Sequence, residues 1–134
     1  MKIFIAGHKG MVGSSILKKI TNRTDVEIHT SEKSTLNLLD QTRVSKYFSY
    51  HNFDLVINCA AKVGGIHSNN IYRADFIYEN LQIQNNIIHS SYASGVKKLL
   101  FLGSSCIYPK FSEQSIKEEY LLTSHWSTQT NLMQ

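Results

Sequence analysis

The sequence feature that most limits the possible folds is a glycine-rich turn between a short apolar run and an amphipathic stretch. The apolar run Lys2–Ala6 leads directly into the loop Gly7–Gly13, which has glycine at its first, fourth and last positions. The loop opens the stretch Met11–Ile20, whose apolar side chains recur at helical spacing. The short apolar run predicts a buried parallel strand, and glycine lets the chain turn sharply out of it. The order strand, turn, helix predicts the beginning of a βαβ unit.

The same alternation continues along the chain. Further strands are predicted at Val26–His29, Asp54–Cys59 and Lys97–Leu102. One further helix is predicted after the N-cap residue Asp40, and another at Tyr72–Ala93, where Gly95 ends the helix. Such alternation implies right-handed βαβ units around a parallel sheet that is covered on both faces. We therefore predict an α/β fold, a Rossmann-like doubly wound parallel sheet. It is truncated after about four strands, because such folds normally have about six or more.

Composition narrows the function classes. The 134 residues suffice for one domain, and the net charge of +4 comes from scattered lysines and arginines, which favours ordinary surface charge over a nucleic-acid-binding patch. No apolar run is long enough to cross a membrane, and the opening run is too short for a signal peptide. The two cysteines, Cys59 and Cys106, are too few for a disulfide framework and lack metal-site spacing. We expect a cytoplasmic protein with no metal, membrane or nucleic acid as partner.

The glycine loop also predicts a ligand. Backbone N–H groups and the positive end of the helix dipole bind phosphates, so this arrangement is typical of a dinucleotide pyrophosphate site. The spacing G-x-x-G-x-x-G is that of extended short-chain dehydrogenases, and a plain connecting turn is the alternative. The residues predicted to hold the pyrophosphate are Gly7, His8, Lys9, Gly10, Met11, Val12 and Gly13.

The segment after the second strand bears on the choice between NAD and NADP. Glu32 is a candidate to bind the adenosine ribose hydroxyls, as an acidic residue does in NAD enzymes. Lys33, together with Lys9 in the loop, is a candidate to neutralise a 2′-phosphate instead. We favour NADP(H), with ordinary exposed cations as the alternative for both lysines.

Six sequence blocks carry a resemblance to a known family. They are AGHKGMVGS (6–14), LNLLD (36–40), AAKVGGI (60–66), FIYENL (76–81), NNIIH (85–89) and KLLFLGSSCIYPK (98–110). In this order and spacing, over residues 1–123, they resemble the GDP-L-fucose synthase family of extended short-chain dehydrogenases/reductases. The resemblance implies an NADPH-dependent oxidoreductase and isomerase of nucleotide-sugar metabolism. Such an enzyme epimerises GDP-4-keto-6-deoxy-D-mannose at two ring carbons and reduces its ketone to give GDP-L-fucose. Another sugar-nucleotide epimerase or dehydratase is the alternative, which the block SSCIYPK disfavours.

The resemblance also implies roles for individual residues in cofactor binding. Lys9 and Lys33 stand where the family usually has arginine, so each would meet the 2′-phosphate as a point charge rather than a bidentate fork. Further residues follow from the blocks: Asp40 near the adenine, Ala60, Ala61 and Lys62 along the cofactor, and Leu102, Gly103, Ser104 and Ser105 at the nicotinamide end.

Two residues are implied to be catalytic. Ser104 would hydrogen-bond the 4-keto oxygen of the substrate, and Cys106 would act as an acid/base in the epimerisation. Epimerisation beside a ketone needs a proton removed from one face and delivered to the other, which a thiol can do near neutral pH. A hydroxyl donor stabilises the enolate that forms. A buried, unreactive cysteine is the alternative for Cys106, and the interpretation we accept for Cys59.

The family's catalytic motif Tyr-x-x-x-Lys is missing, because none of the seven tyrosines is followed by lysine four residues later. A further catalytic histidine and the domain that binds the GDP-sugar are also expected beyond this chain. The chain alone is therefore predicted to be inactive and at most to bind NADP(H), and its standing as an enzyme is left open. An uncovered sheet edge would favour aggregation. The family homodimer pairs two long helices from each subunit, of which only Tyr72–Ala93 is present, so dimerisation is left open too.

Residues 124–134 depart from the family pattern, and we expect them to be the product of a frameshift near codon 124. The family continues with a stretch like LExTNEPYA, whereas this chain continues HWSTQTNLMQ. Back-translation, taking the last base of each codon with the first two of the next, can spell LEHTNEPYA. Sequencing the gene tests this hypothesis. The expected result is family sequence in register in the shifted frame, and its absence there would contradict the hypothesis.

Overall fold

A four-stranded parallel sheet forms the centre of the fold in the computed structural model, which describes residues 1–104, 107–109, 111–121 and 123. Its strands are β1 (Lys2–Ala6), β2 (Glu27–Thr30), β3 (Leu55–Asn58) and β4 (Lys98–Phe101). They lie in the order β2-β1-β3-β4, and each neighbouring pair is parallel. The chain first moves from β1 to β2 and then returns to the other side of β1 with β3. This reversal makes a topological switch point, where open α/β sheets bind ligands beyond the carboxyl ends of their strands.

Helices cover both faces of the sheet. They are α1 (Met11–Ile20), α2 (Gln41–His51) and α4 (Arg73–Ala93), and a further short helix, α3 (Ile66–Ile71), precedes α4 in the chain. Alternate side chains of a strand point to opposite faces, so Ile3 and Ile5 belong to a cluster that packs against α1. Phe4 and Ala6 instead belong to a cluster with residues of α2 and α4. Two-sided coverage confirms the predicted doubly wound α/β fold.

Aromatic side chains dominate the larger cluster. The Phe4 ring stacks on Phe53 with centroids 5.2 Å apart and meets Phe48 edge-on at 5.5 Å. All three rings are buried, as is Val44 of α2. Each such side chain contributes about 1.5–3 kcal/mol by its burial. The apolar pattern that predicted α2 therefore positions the helix by packing it against β1.

The chain divides into two compact units. The sheet unit comprises Met1–Ala61 and Glu79–Leu102, and the second unit comprises Lys62–Tyr78 and the described residues from Gly103 onward. The second unit contains α3 and a short 3-10 turn at Glu118–Tyr120.

The predicted strands and helices are found within one or two residues of their expected bounds. The second strand begins at Glu27 rather than Val26, although Val26 still packs in the cluster beside α1. Helix α3 was not predicted, because its six residues show only two apolar side chains, one at each end. Strand β4 is the edge strand on its side of the sheet. All four of its residues are exposed, unlike most of those in β1 and β3, so the predicted coverage of both faces does not extend to β4. No helix in the described part of the chain is both long and apolar enough to cross a membrane.

Replacing Asp40 tests how α2 begins. Its carboxylate accepts a hydrogen bond from the Arg43 N–H (Oδ1···N 3.0 Å) and so caps the first turn. We expect Asp40→Ala to lower the free energy of unfolding by about 1 kcal/mol, because the helix loses this cap. Asp40→Asn keeps an acceptor oxygen and should retain most of the stability. Urea unfolding followed by circular dichroism measures both, and equal losses in the two variants would contradict a capping role.

Candidate cofactor site

The glycine loop Gly7–Gly13 meets the segment after β3 backbone against backbone. Gly7 has a φ of 77°, a left-handed conformation that glycine adopts without steric cost. A Cβ atom at Gly7 would lie 2.7 Å from the amide nitrogen of Ala60. The Gly7 carbonyl also accepts a hydrogen bond from the Gly10 N–H (3.0 Å). The structure thus brings the predicted residues Gly7 and Ala60 together at the switch point between β1 and β3.

The first turn of α1 presents a positive end that no side chain of the helix start neutralises. Gly10 is the N-cap and supplies no side-chain hydrogen bond, and the first turn contains no acidic residue. Lys18 and Lys19 in the last turn complement the negative end of the helix dipole. Met11 and Val12 in the first turn are exposed. An anion at this end would complete the electrostatic balance of the helix.

At the neighbouring strand end, an ion pair joins the glycine loop to the segment after β2. The Lys9 Nζ lies 2.5 Å from the Glu32 Oε1, and 68% and 55% of the two side chains are exposed. The hydrogen bond from Lys9 is the largest cause that lowers the pKa of Glu32 below its ordinary value. Lys33, the other predicted cation, is exposed. Two of the three residues that sequence analysis singled out for the choice between NAD and NADP are therefore in direct contact.

Two buried polar atoms in this region have no hydrogen-bond partner among the described residues. They are the His8 Nδ1 and the Ser31 Oγ. His8 belongs to the loop after β1, and Ser31 directly follows β2, which is paired with β1. An unpaired buried polar group costs about 1–3 kcal/mol, so each such group calls for a partner. Sequence analysis missed Ser31, whose only signal was its place beside Glu32 after the second strand.

Two asparagines that sequence analysis also missed hold the segments around the loop. The Asn58 side chain, buried at the end of β3, accepts a hydrogen bond from the Ala60 N–H (3.1 Å). The buried Asn86 of α4 donates to the Leu38 carbonyl (2.8 Å). These bonds fix the chain directions after β3 and before α2. Asp40, predicted near the adenine, is the N-cap of α2.

The second unit contains three more predicted residues, Lys62, Gly103 and Ser104. The Lys62 Nζ lies 5.4 Å from the centroid of the Phe76 ring, a cation–π distance. The Ser104 carbonyl accepts a hydrogen bond from the Ile107 N–H (3.3 Å). Ser105 and Cys106, predicted for the nicotinamide end and for acid/base catalysis, lie outside the described residues.

Two more predicted residues lie at the ends of the two segments that make up the sheet unit. Leu102, the last residue of the sheet unit, donates its N–H to the Asn58 carbonyl (3.3 Å) and so continues the pairing of β4 with β3. Ala61 ends the first part of that unit. The Cys59 side chain packs against the cluster beside α1, and burial raises the pKa of its thiol, which fits the small-apolar interpretation. Within the described ranges, no group of three His, Cys, Asp or Glu side chains is arranged to hold a metal ion.

Comparison with known proteins connects this arrangement to a family. The model of the NAD dependent epimerase/dehydratase family matches residues 3–131. The chain is 55% identical over 123 residues to GDP-L-fucose synthase 1 of Arabidopsis thaliana, a match that covers 92% of this chain and 38% of the relative. It is 52% identical over 121 residues to GDP-L-fucose synthase of Escherichia coli strain K12, covering 90% of this chain and 38% of the relative.

A solved structure shares the fold. A GDP-mannoheptose C4 reductase from Campylobacter jejuni with NADP bound matches with a TM-score of 0.91 and 37% identity, over 98% of this chain and 42% of that chain. The chain thus spans less than half the length of the proteins it matches. The family match passes residue 123, whereas the two relatives align over 121 to 123 residues, so the domain boundary at 123 stays a prediction.

Substituting Gly13 tests the close approach of loop and helix. Alanine inside a helix is normally more stable than glycine by about 0.5–1 kcal/mol. At Gly13, however, an added Cβ would overlap the Gly7 carbonyl oxygen and lie 2.9 Å from the His8 Cα. Because backbone must then shift, we expect Gly13→Ala to lower the free energy of unfolding by about 1–3 kcal/mol. Urea unfolding measures the loss. Gly103→Ala, where an added Cβ meets no described atom within 4 Å, is the control, and a Gly13→Ala variant as stable as this control would contradict the close approach.

Proposed function

The chain belongs to the NAD dependent epimerase/dehydratase family, and we propose that its sheet unit binds NADP(H) as the cofactor-binding part of a GDP-L-fucose synthase. The observation that carries this proposal is the contact of Gly7 with Ala60 at the switch point. This contact holds the glycine loop and the N-terminus of α1 at the carboxyl ends of the strands. A dinucleotide pyrophosphate binds at those strand ends in this class of fold.

The residues present fit a dinucleotide. The first turn of α1 has no acidic residue and no side-chain cap, so its amides suit a pyrophosphate. The His8 Nδ1 and the Ser31 Oγ are buried polar atoms without a partner in the described part of the chain, and ligand atoms would satisfy them. Exposed Met11 and Val12 offer apolar surface beside the amides.

The choice of NADP(H) over NAD(H) rests on charge. Lys9 and Lys33 are two cations near the predicted adenosine end, and a 2′-phosphate carries about −1.5 to −2 charge near neutral pH. The similar Campylobacter jejuni reductase has NADP bound. Both lysines are exposed. Each would therefore favour NADPH binding by attracting the phosphate from a distance as well as by contacting it.

The substrate proposal follows the relatives' names and the retained blocks. In a full-length enzyme of this kind, Ser104 would donate a hydrogen bond to the 4-keto oxygen of GDP-4-keto-6-deoxy-D-mannose, and Cys106 would move a proton at the carbon beside it. Bound NADPH supplies the hydride for the reduction. This chain has no Tyr-x-x-x-Lys, so we propose that the 134 residues alone bind cofactor without turnover. The likeness to the heptose reductase makes reduction of another GDP-sugar ketone the second candidate.

Titration of the purified chain with NADPH, followed by fluorescence and compared with NADH, tests the cofactor proposal. We expect saturable binding of NADPH. Lys33→Gln should weaken NADPH binding by about tenfold, because a hydrogen bond to a charged group contributes about 1.5 kcal/mol or more. It should leave NADH binding nearly unchanged, since NADH lacks the 2′-phosphate.

Lys18→Gln is the matched control. It removes the same charge from the last turn of α1, at the opposite end of the helix from the loop. Equal losses of NADPH affinity in the Lys33 and Lys18 variants would show a non-specific charge effect and contradict the assignment of Lys33. A folded chain that binds neither nucleotide would contradict the proposed function.

A further inference from the structure

Glu32 lies at the adenosine end of the proposed site, and its backbone takes part in the turn after β2. Its backbone carbonyl accepts hydrogen bonds from the N–H groups of Thr35 (3.0 Å) and Leu36 (2.8 Å), which form the turn after β2. Leu36 is buried in the larger apolar cluster and anchors that turn. The Glu32 side chain therefore extends from a hydrogen-bonded turn, and its Oε1 lies 2.5 Å from the Lys9 Nζ.

The pairing has a consequence for cofactor choice. We propose that Glu32 is a specificity-determining residue, which competes with the cofactor's 2′-phosphate for Lys9 and lets the chain bind NADH as well as NADPH. This inference rests on the proposed binding of a nicotinamide dinucleotide at the glycine loop.

For NADPH, Glu32 is unfavourable in two ways. Lys9 must exchange its carboxylate partner for the phosphate, and the carboxylate then lies near a second negative group. The side chains of the pair are more than half exposed, so the exchange is feasible and the penalty is modest.

For NADH, the same carboxylate is favourable. A carboxylate after the second strand accepts hydrogen bonds from the adenosine ribose hydroxyls in NAD-binding proteins of this fold. Lys9 stays paired, so no buried or unpaired charge is created. The nearby Ser31 Oγ, buried and without a partner among the described residues, is a further group that a ribose hydroxyl would satisfy.

The charges that lower the pKa of Glu32 come from the glycine loop. Among the groups that lower the pKa of Glu32, Lys9 acts first through its hydrogen bond and then through its charge, and His8 contributes a smaller charge effect. Both belong to the glycine loop. Glu32 is thus the acidic member of a small group whose other members attract a phosphate.

The experiment compares the dissociation constants of NADPH and NADH for the full 134-residue chain and its variants by fluorescence titration. Glu32→Gln removes the charge at constant size. We expect it to raise NADPH affinity by about two- to fivefold, the equivalent of an exposed ion pair. We expect NADH affinity to fall by about fivefold, because a neutral amide accepts the hydroxyl bonds more weakly. The preference for NADPH then rises by about 10- to 25-fold.

Two further variants separate the causes. In a Lys9→Met background, Glu32→Gln should raise NADPH affinity by less than it does in the parent chain. The ion pair with Lys9 is already absent there, so removing the carboxylate frees no cation for the phosphate. Glu27→Gln is the control, because Glu27 is similarly exposed (57%) and begins β2, at the end of the strand far from Glu32. Its carboxylate is paired with His29. This variant should change neither the NADPH nor the NADH dissociation constant.

The outcomes distinguish this inference from the function on which it rests. Binding of both nucleotides with a preference that Glu32→Gln leaves unchanged would overturn the role of Glu32 while keeping the cofactor site. An undiminished gain in the Lys9→Met background would overturn the competition for Lys9. Failure of the folded parent chain to bind either nucleotide would overturn the cofactor site itself, and this inference with it.

Discussion

Backbone contact between the glycine loop and the segment after β3 is the constraint on which the site depends. Gly7 approaches Ala60 so closely that a side chain cannot be accommodated, and Gly13 approaches the carbonyl of Gly7 in the same way. These contacts close the loop tightly over the ends of β1 and β3. They also fix the start of α1 immediately beyond the strand end. The positive end of the helix thereby lies at the switch point between β1 and β3.

The two-faced core keeps that geometry rigid. Ile5 and Phe4 are adjacent residues of β1, yet they belong to separate clusters on opposite faces of the sheet. Helices packed on both sides prevent β1 from tilting, since movement toward one cluster opens a cavity in the other. The glycine loop needs little side-chain support of its own, because the strand that carries it is held on both faces.

Polar groups refine the site beyond what packing provides. Asn58 directs the chain out of β3, and Asn86 ties α4 to the segment that leads into α2. Lys9 and Glu32 belong to loops that follow different strands, and their contact exists because β1 and β2 are neighbours. The three strand ends thus bring together an uncapped helix terminus and a paired cation and carboxylate, and the proposed nucleotide preference rests on that combination.

Much of the fold was predictable because it depends on local patterns. Short apolar runs identified the strands within one or two residues, and the G-x-x-G-x-x-G spacing identified the turn at Gly7. Asp40 was recognisable as an N-cap from residue type and position alone. Helix α3 escaped prediction because its few residues are mostly polar and show no apolar periodicity.

The sequence by itself determined the fold class, the location of the glycine loop and the family resemblance, because each is encoded by residues close together in the chain. Only the tertiary structure decided that Gly7 packs on Ala60 and that Lys9 pairs with Glu32. It also decided that Ser31 carries a buried hydroxyl without a partner in the described chain. From sequence, Glu32 and Lys9 supported opposite cofactor choices, since their spacing gives no information about contact. Because β1 and β2 pair in parallel, the loops that follow them lie side by side at the carboxyl ends of the strands. There Lys9 and Glu32 form their ion pair.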